Sequence, residues 1–170
     1  AGMRKHFDYW GKDVSVPATG SAPFLAMRAF TVEADLVLDK EGASGAIVAW
    51  GSRFGGWSLY LDHGKPAFVS ARSTDPDEMA RVIASSALPK GASRLTMRQV
   101  PGGPGQGTLV TLSAGGVELA RVTTPPGAIM PAGGGEMLDV GRDTGVTDTE
   151  YATPRGASEG DVPRVGITFD

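Results

Sequence analysis

Strict alternation of apolar and polar residues, punctuated by glycine-rich turns, leaves this chain little to fold into except strands. In Arg53-Phe54-Gly55-Gly56-Trp57-Ser58-Leu59-Tyr60-Leu61-Asp62 a glycine pair leads into Trp57, Leu59 and Leu61, which alternate with Ser58, Tyr60 and Asp62. Neighbouring side chains of a strand point to opposite faces, so the pattern predicts a central strand with one dry face. It ends at Asp62-His63-Gly64-Lys65, a hairpin signal. Residues 30–38 repeat the rhythm, with Phe30, Val32, Ala34, Leu36 and Leu38 inward and Thr31, Glu33 and Asp35 outward.

The rest of the chain punctuates itself the same way. Residues 7–17 read as one opening edge strand that Pro17 terminates. Residues 46–50 are an unbroken apolar run suited to a strand buried on both faces, and 65–71 pair back across the hairpin. Asp75-Pro76-Asp77-Glu78 carries helix-start signals, yet Arg81-Val82-Ile83-Ala84 is brief and β-branched, which favours a turn followed by a strand. Further strands are expected at 93–100, 108–113, 117–122, 136–141 and 162–169. A Pro/Gly-rich connection at 123–135 crosses between sheets, and 142–159 is a loop-rich excursion. With 25 glycines and 12 prolines among 170 residues, the expectation is an all-β, antiparallel two-sheet sandwich of jelly-roll type. It forms a single domain over 1–170, with residues 1–6 as a linker, and Ala1-Gly2-Met3 reads as the start of a mature or excised piece.

Composition narrows the chemistry. Sixteen basic against nineteen acidic residues give a net charge of -3, without the basic patch of a nucleic-acid partner. No apolar run approaches a membrane span. The chain has no cysteine, which removes disulfides, thiolate catalysis and Cys-based metal sites, and its two histidines, His6 and His63, stand far apart. Asparagine is absent, and with it any N-glycosylation acceptor.

Four stretches approach catalytic motifs, and each fails at a named residue. Glu33-Ala34-Asp35 sets two carboxylates on one strand face as retaining glycosidases of jelly-roll fold do, but Val37 and Leu38 stand where the second glutamate belongs. Asp143-Thr144-Gly145 is the aspartic-protease tripeptide without its second copy, so Asp143 is expected to pair with Arg142 or to accept backbone N–H groups in its own loop. Residues 102–108 have phosphate-loop spacing with Thr108 in place of the lysine. In Ser21-Ala22-Pro23-Phe24-Leu25, Leu25 replaces the arginine of the serine-type sulfatase motif. No catalytic residue is expected.

Binding features are the remainder. Arg53, Trp57, Tyr60, Arg142, Asp143 and Tyr151 form the candidate ligand-binding set, mixing aromatic rings with guanidinium groups suited to sugars and anions. For Trp57 a place in the core is the stronger expectation. Asp139, Asp143, Asp148 and Asp161 are candidate oxygen donors for calcium, though no EF-hand pattern links them.

Three segments together resemble the C-terminal domain of bacterial arylsulfatases: Gly51-Ser52-Arg53-Phe54-Gly55-Gly56-Trp57-Ser58-Leu59-Tyr60, then Asp139-Val140-Gly141-Arg142-Asp143-Thr144-Gly145, then Glu159-Gly160-Asp161-Val162-Pro163-Arg164-Val165. Leu88-Pro89-Lys90-Gly91 and Gly107-Thr108-Leu109-Val110-Thr111-Leu112 resemble the same domain, so that the likeness runs from about Val32 to the end. It implies a concanavalin A-like or laminin G-like sandwich that trails a sulfatase catalytic domain in the same polypeptide, in a periplasmic or secreted enzyme. The formylglycine motif Cys-x-Pro-x-Arg is missing here, so this chain is expected to hydrolyse nothing by itself, and it carries no cofactor unless calcium.

Three roles stay open on the sequence. One is an accessory module that packs on the catalytic domain and recognises sulfated glycan. The second is a free-standing lectin-like binder of neutral sugars with Trp57 or Tyr151 as platform. The third is a purely structural or homo-oligomerising domain.

Overall fold

The computed structural model describes residues 4–18, 22–131, 136–144 and 147–170. Two six-stranded sheets, antiparallel throughout, face one another. The first runs β1 (His6–Trp10), β12 (Asp161–Phe169), β3 (Phe30–Leu38), β8 (Gly91–Pro101), β9 (Thr108–Ala114), β10 (Val117–Thr123). The second runs β2 (Ser15–Pro17), β11 (Met137–Val140), β4 (Gly45–Ser52), β5 (Gly55–Asp62), β6 (Lys65–Ala71), β7 (Met79–Ile83). Short 3-10 turns at Pro76–Glu78 and Pro154–Gly156 are the helical pieces among the described residues, and no helix there is long and apolar enough to cross a membrane.

The alternation places the core as expected. Phe30, Val32, Ala34, Leu36 and Leu38 of β3 are all buried, beside Leu95 and Met97 of β8 and Val165, Ile167 and Phe169 of β12. The second sheet answers with Trp50, Trp57, Leu59 and Phe68. The β5–β6 hairpin turns on His63 and Gly64, with φ of 50° and 84°, the positive pair that a two-residue turn needs to match strand twist. Residues 75–85 form a turn and then β7, with Asp75 Oδ1 accepting from Asp77 N–H.

Two expectations need correction. Residues 7–17 are not one strand: β1 lies at the edge of the first sheet and β2 at the edge of the second. Gly11 and Asp13, both at positive φ (78° and 76°), turn the chain between them. The sandwich also reaches into the expected linker, since β1 includes His6 and the Lys5 carbonyl accepts from Phe169 N–H. Ser21, Gly145 and residues 132–135 of the crossing connection lie outside the described residues.

On the outer face of the first sheet, Arg94 pairs with Asp35 at 2.8 Å and Glu33 at 3.2 Å, and Arg164 with Asp8 at 2.7 Å. Exposed pairs of this kind contribute about 0–1 kcal/mol each, and they assign Glu33 and Asp35 to a solvated charge ladder. Residues 102–108 make the β8–β9 turn, with no helix following.

The glycine pair before Trp57 has a steric reason. A Cβ on Gly56 would stand 2.2 Å from the Trp50 carbonyl oxygen, 2.6 Å from Ser52 N and 2.8 Å from Asp148 Oδ1. Because backbone blocks the space, Gly56→Ala is expected to destabilise the fold by about 1–3 kcal/mol, read as a lowered urea midpoint.

Candidate functional site

The outer face of the second sheet is not left to solvent. Strand register sets Ser58 opposite Val69 and Val69 opposite Arg81, with Tyr60 opposite Ala67 and Ala67 opposite Ile83. These six interior and edge positions share one face, because cross-strand partners point the same way. Ala67 and Val69 are small, so the Tyr60 phenol and the Arg81 guanidinium meet above them, Arg81 Nη1 donating to the hydroxyl at 2.7 Å.

The 142–159 excursion folds across this face. Ser158 N–H donates to the Gly141 carbonyl at 2.9 Å and Asp143 N–H to the Arg155 carbonyl at 2.8 Å, closing its base. Tyr151 lies edge-on to Tyr60, ring centroids 5.5 Å apart, and with Ala67 and Val69 they form a second, small apolar cluster. The Tyr151 hydroxyl donates to Asp143 Oδ2 and is hydrogen-bonded to Ser58 Oγ at 2.8 Å. Asp148 N–H donates to the same Asp143 oxygen at 2.7 Å. Asp143 therefore takes the backbone-accepting role within its own loop. The alternative partner, Arg142, instead reaches the Asp13 carbonyl at 3.2 Å.

Burial dominates the electrostatics here. It pushes the Asp143 carboxyl above its usual range, against the hydrogen bonds from Tyr151, from Asp148 N–H and from the Asp148 carboxyl. It pushes Asp148 well above, and the neighbouring Asp143 charge, the hydrogen bond to the Asp143 carboxyl, then Glu136 and Asp139 act in the same direction. Tyr60 and Tyr151 are raised by burial too, so both stay phenols. The Asp139 oxygens accept from Ser15 Oγ, Thr144 N–H and Thr144 Oγ1.

Beside this cluster opens a cavity of about 310 Å³, lined by Arg53, Met79, Arg81, Asp148, Thr149 and Glu150 among others. Arg53 Nε donates to the Thr147 carbonyl at 3.0 Å, and its Nη2 pairs with Glu150 at 3.1 Å. Glu150 is 91% exposed, so solvent screens that pair. Arg81 Nη2 donates to Thr149 Oγ1 at 2.6 Å. Both partners of Arg81 are neutral hydroxyls, and among the described residues no carboxylate pairs with it. A cation held in place by neutral groups can accept an anion from outside without first giving up a partner. A larger cavity of about 400 Å³ lies between the β8–β9 turn, residues 25–27 and residues 127–129, lined by apolar groups, backbone and the amides of Gln99 and Gln106. It has no charged group to select a ligand.

Of the six residues expected to bind ligand, Tyr60, Asp143 and Tyr151 come together, and Arg53 lines the adjoining cavity. Trp57 requires correction as a sugar platform: it is fully buried between the sheets, stacked on Phe30 at 6.1 Å and beside Phe68 at 6.3 Å. Arg142 is occupied on the Asp13 side, away from the cavity lining. Sequence reasoning passed over Arg81 and Thr149. A lone arginine in a five-residue strand gives no pattern, and only the register across β5, β6 and β7 brings it to Tyr60. Among the described residues, no group of three or more His, Cys, Asp or Glu side chains could hold a metal ion. Asp161 lies apart from the other candidate donors in β12, its Oδ1 accepting from Val162 N–H.

No protein-family model and no curated protein sequence matches the chain. Solved structures do. The Ruminococcus gnavus IT-sialidase CBM40 bound to α2,3 sialyllactose superposes with a TM-score of 0.63 at 11% identity, over 97% of this chain and 90% of that one. Domains LG4-5 of the mouse laminin α1 chain give 0.63 at 13% identity, over 95% of this chain and 40% of that one. Domain 4 of AbnA, a GH43 extracellular arabinanase from Geobacillus stearothermophilus in complex with arabinotriose, gives 0.55 at 14%, over 90% and 64%. The fold is thus the jelly-roll sandwich of laminin G-like and CBM40 domains. At these identities the likeness extends to the fold and not to ligand residues.

Proposed function

We propose that the chain is a non-catalytic glycan-binding module whose ligand carries an anionic group, read by Arg81 and Arg53 at the edge of the second sheet. The observation that carries this is Arg81, a guanidinium whose partners among the described residues are hydroxyls, on the wall of a cavity of about 310 Å³. Ligand pockets start near this volume, which suits one sugar unit rather than a chain. Two solved structures of the same fold contain a bound saccharide, sialyllactose in one and arabinotriose in the other. That sets the ligand class to test first.

The anion is a carboxylate or a sulfate ester. The sulfate choice, with a sulfatase catalytic domain in the same polypeptide, rests on the sequence segments that resemble arylsulfatase tails. Calorimetric titration with α2,3-sialyllactose, a sulfated lactose and plain lactose separates these readings. The acidic sugars are expected to bind and lactose to bind at least tenfold more weakly. Arg81→Met is expected to lower affinity for the acidic sugars about 10- to 100-fold, the worth of a charge-assisted hydrogen bond. Equal binding of all three sugars would leave a neutral-sugar lectin. A chain that ignores all three would leave a structural role.

A further inference from the structure

The excursion that covers the second sheet is fastened by two acids. Asp143 has no exposed surface and Asp148 only 3%. Asp143 Oδ2 accepts from the Tyr151 hydroxyl and from Asp148 N–H, so one carboxyl ties three points of the excursion together. The Asp148 side chain lies on the β5 backbone at the glycine pair, where a Cβ on Gly56 would come within 2.8 Å of its Oδ1. The two carboxyls are hydrogen-bonded to each other. Among the described residues, no other group is hydrogen-bonded to Asp143 Oδ1 or to either oxygen of Asp148. Ionised carboxylates only accept, so two of them bond only when one carries a proton. Two bare charges in that place would be opposed by burial and by their own repulsion at once.

We propose that one proton shared by Asp143 and Asp148 clamps the 142–159 excursion onto the second sheet, and that its loss at raised pH loosens the excursion and the cavity wall it forms. The proton sits on Asp148, because Asp143 is the carboxylate already stabilised by a hydroxyl and an N–H. Asp139 of β11 and Glu136 just before it add negative charge at Asp148, as Asp143 does, and so favour keeping the proton. Tyr151 on the excursion and Tyr60 on β5 stay neutral phenols. Arg81 of β7 is held by Tyr60 and Thr149, and Arg53 of the β4–β5 turn by Thr147 and Glu150. Arg142 turns to Asp13, and Arg155 gives its carbonyl to Asp143 N–H. An acid that titrates higher in the folded chain than in the unfolded one releases its proton on unfolding. Its contribution to stability is therefore full below the ordinary aspartate range and is lost as pH climbs from there toward the raised value. Asp170 and Glu78, held below the usual range by Arg98 and Arg72, act oppositely and lose their contribution as pH falls. Thr149, next to Asp148, accepts from Arg81 Nη2, so the same release reaches the sugar cavity, a step that rests on the glycan reading.

The test is the thermal midpoint of the whole chain against pH, for the parent and for Asp148→Asn, with the carboxyl carbon shifts of the isotope-labelled parent followed over the same range. Asparagine keeps the shape and a donor toward Asp143 but has no proton to lose. The parent midpoint is expected to fall by several degrees relative to the variant as pH rises from about 4, the ordinary aspartate value, to about 8. Glu150→Gln, on the same cavity, is expected to follow the parent. In the parent, two aspartate carboxyls are expected to titrate jointly in two steps, the second well above the ordinary range. The affinity of the parent for α2,3-sialyllactose is expected to fall severalfold over that range, and that of Asp148→Asn to hold. A midpoint difference that ignores pH, or aspartates that all titrate in the ordinary range, would overturn the proposal, and the carbon shifts decide it even if the variant fails to fold. Constant sugar affinity beside a moving midpoint would overturn the link to the cavity. A chain that binds no sugar would remove the glycan reading, while midpoint and carbon shifts still decide the clamp.

Discussion

Trp57→Ala is expected to cost about 3–5 kcal/mol, the range for removing a large buried aromatic side chain. Against a total stability of about 5–15 kcal/mol, that leaves a chain partly unfolded at ordinary temperature. The size follows from position. Trp57 on β5 has no exposed surface and fills the space between Phe30 of the first sheet and Phe68 of its own. The indole N–H has no partner, so Trp57→Phe removes an unsatisfied donor along with part of the ring and is expected to cost much less than the alanine change. Phe54, three residues away and 47% exposed, is the control, and Phe54→Ala should stay within about 0.5 kcal/mol. Urea unfolding of the three variants checks the ranking. A loss of sugar binding in Trp57→Ala should track the unfolded fraction, because the ring never faces the cavity.

Asp139→Ala is expected to cost about 2–4 kcal/mol, by a different mechanism. Asp139 is 1% exposed and accepts from Ser15 Oγ in β2 and from the backbone and hydroxyl of Thr144 after β11. One carboxylate therefore ties the short edge strand β2 and the root of the 142–159 excursion to β11. Its removal leaves two hydroxyls and an N–H without their acceptor. Asp139→Asn keeps one carbonyl oxygen but turns an amide donor toward groups that donate, so an intermediate loss is expected. Hydrogen exchange should show faster exchange at Thr144 N–H first, since Asp139 Oδ2 is its acceptor.

Local pattern carried the fold, and non-local contact carried the site. The alternation in β3 and β5 identified the inward residues because a strand's two faces are fixed by covalent geometry. The break between β1 and β2 escaped because a lone Gly11 reads as an interruption of an edge strand, while the second positive-φ residue of the turn is Asp13, where sequence leads one to look for glycine. Ser58 and Tyr60 read as an open polar face, yet an excursion about ninety residues later covers them through Tyr151, as the span from Ser58 to Tyr151 shows. Asp143 was legible as a loop organiser because aspartates commonly bind nearby backbone N–H groups. Arg81 was not, because its importance comes from Tyr60, Thr149 and the absence of a carboxylate, none of which its neighbours in sequence reveal.

The central claim is that an anionic sugar enters the cavity beside Arg81. Backbone amide shifts of the isotope-labelled chain, followed during titration with α2,3-sialyllactose and with lactose, test it most directly. The account predicts saturable shifts from the acidic sugar, clustered at Arg53, Arg81, Thr149 and Glu150 and lost in Arg81→Met. Shifts centred instead on the β8–β9 turn and residues 25–27, or the same shifts with lactose, would contradict it.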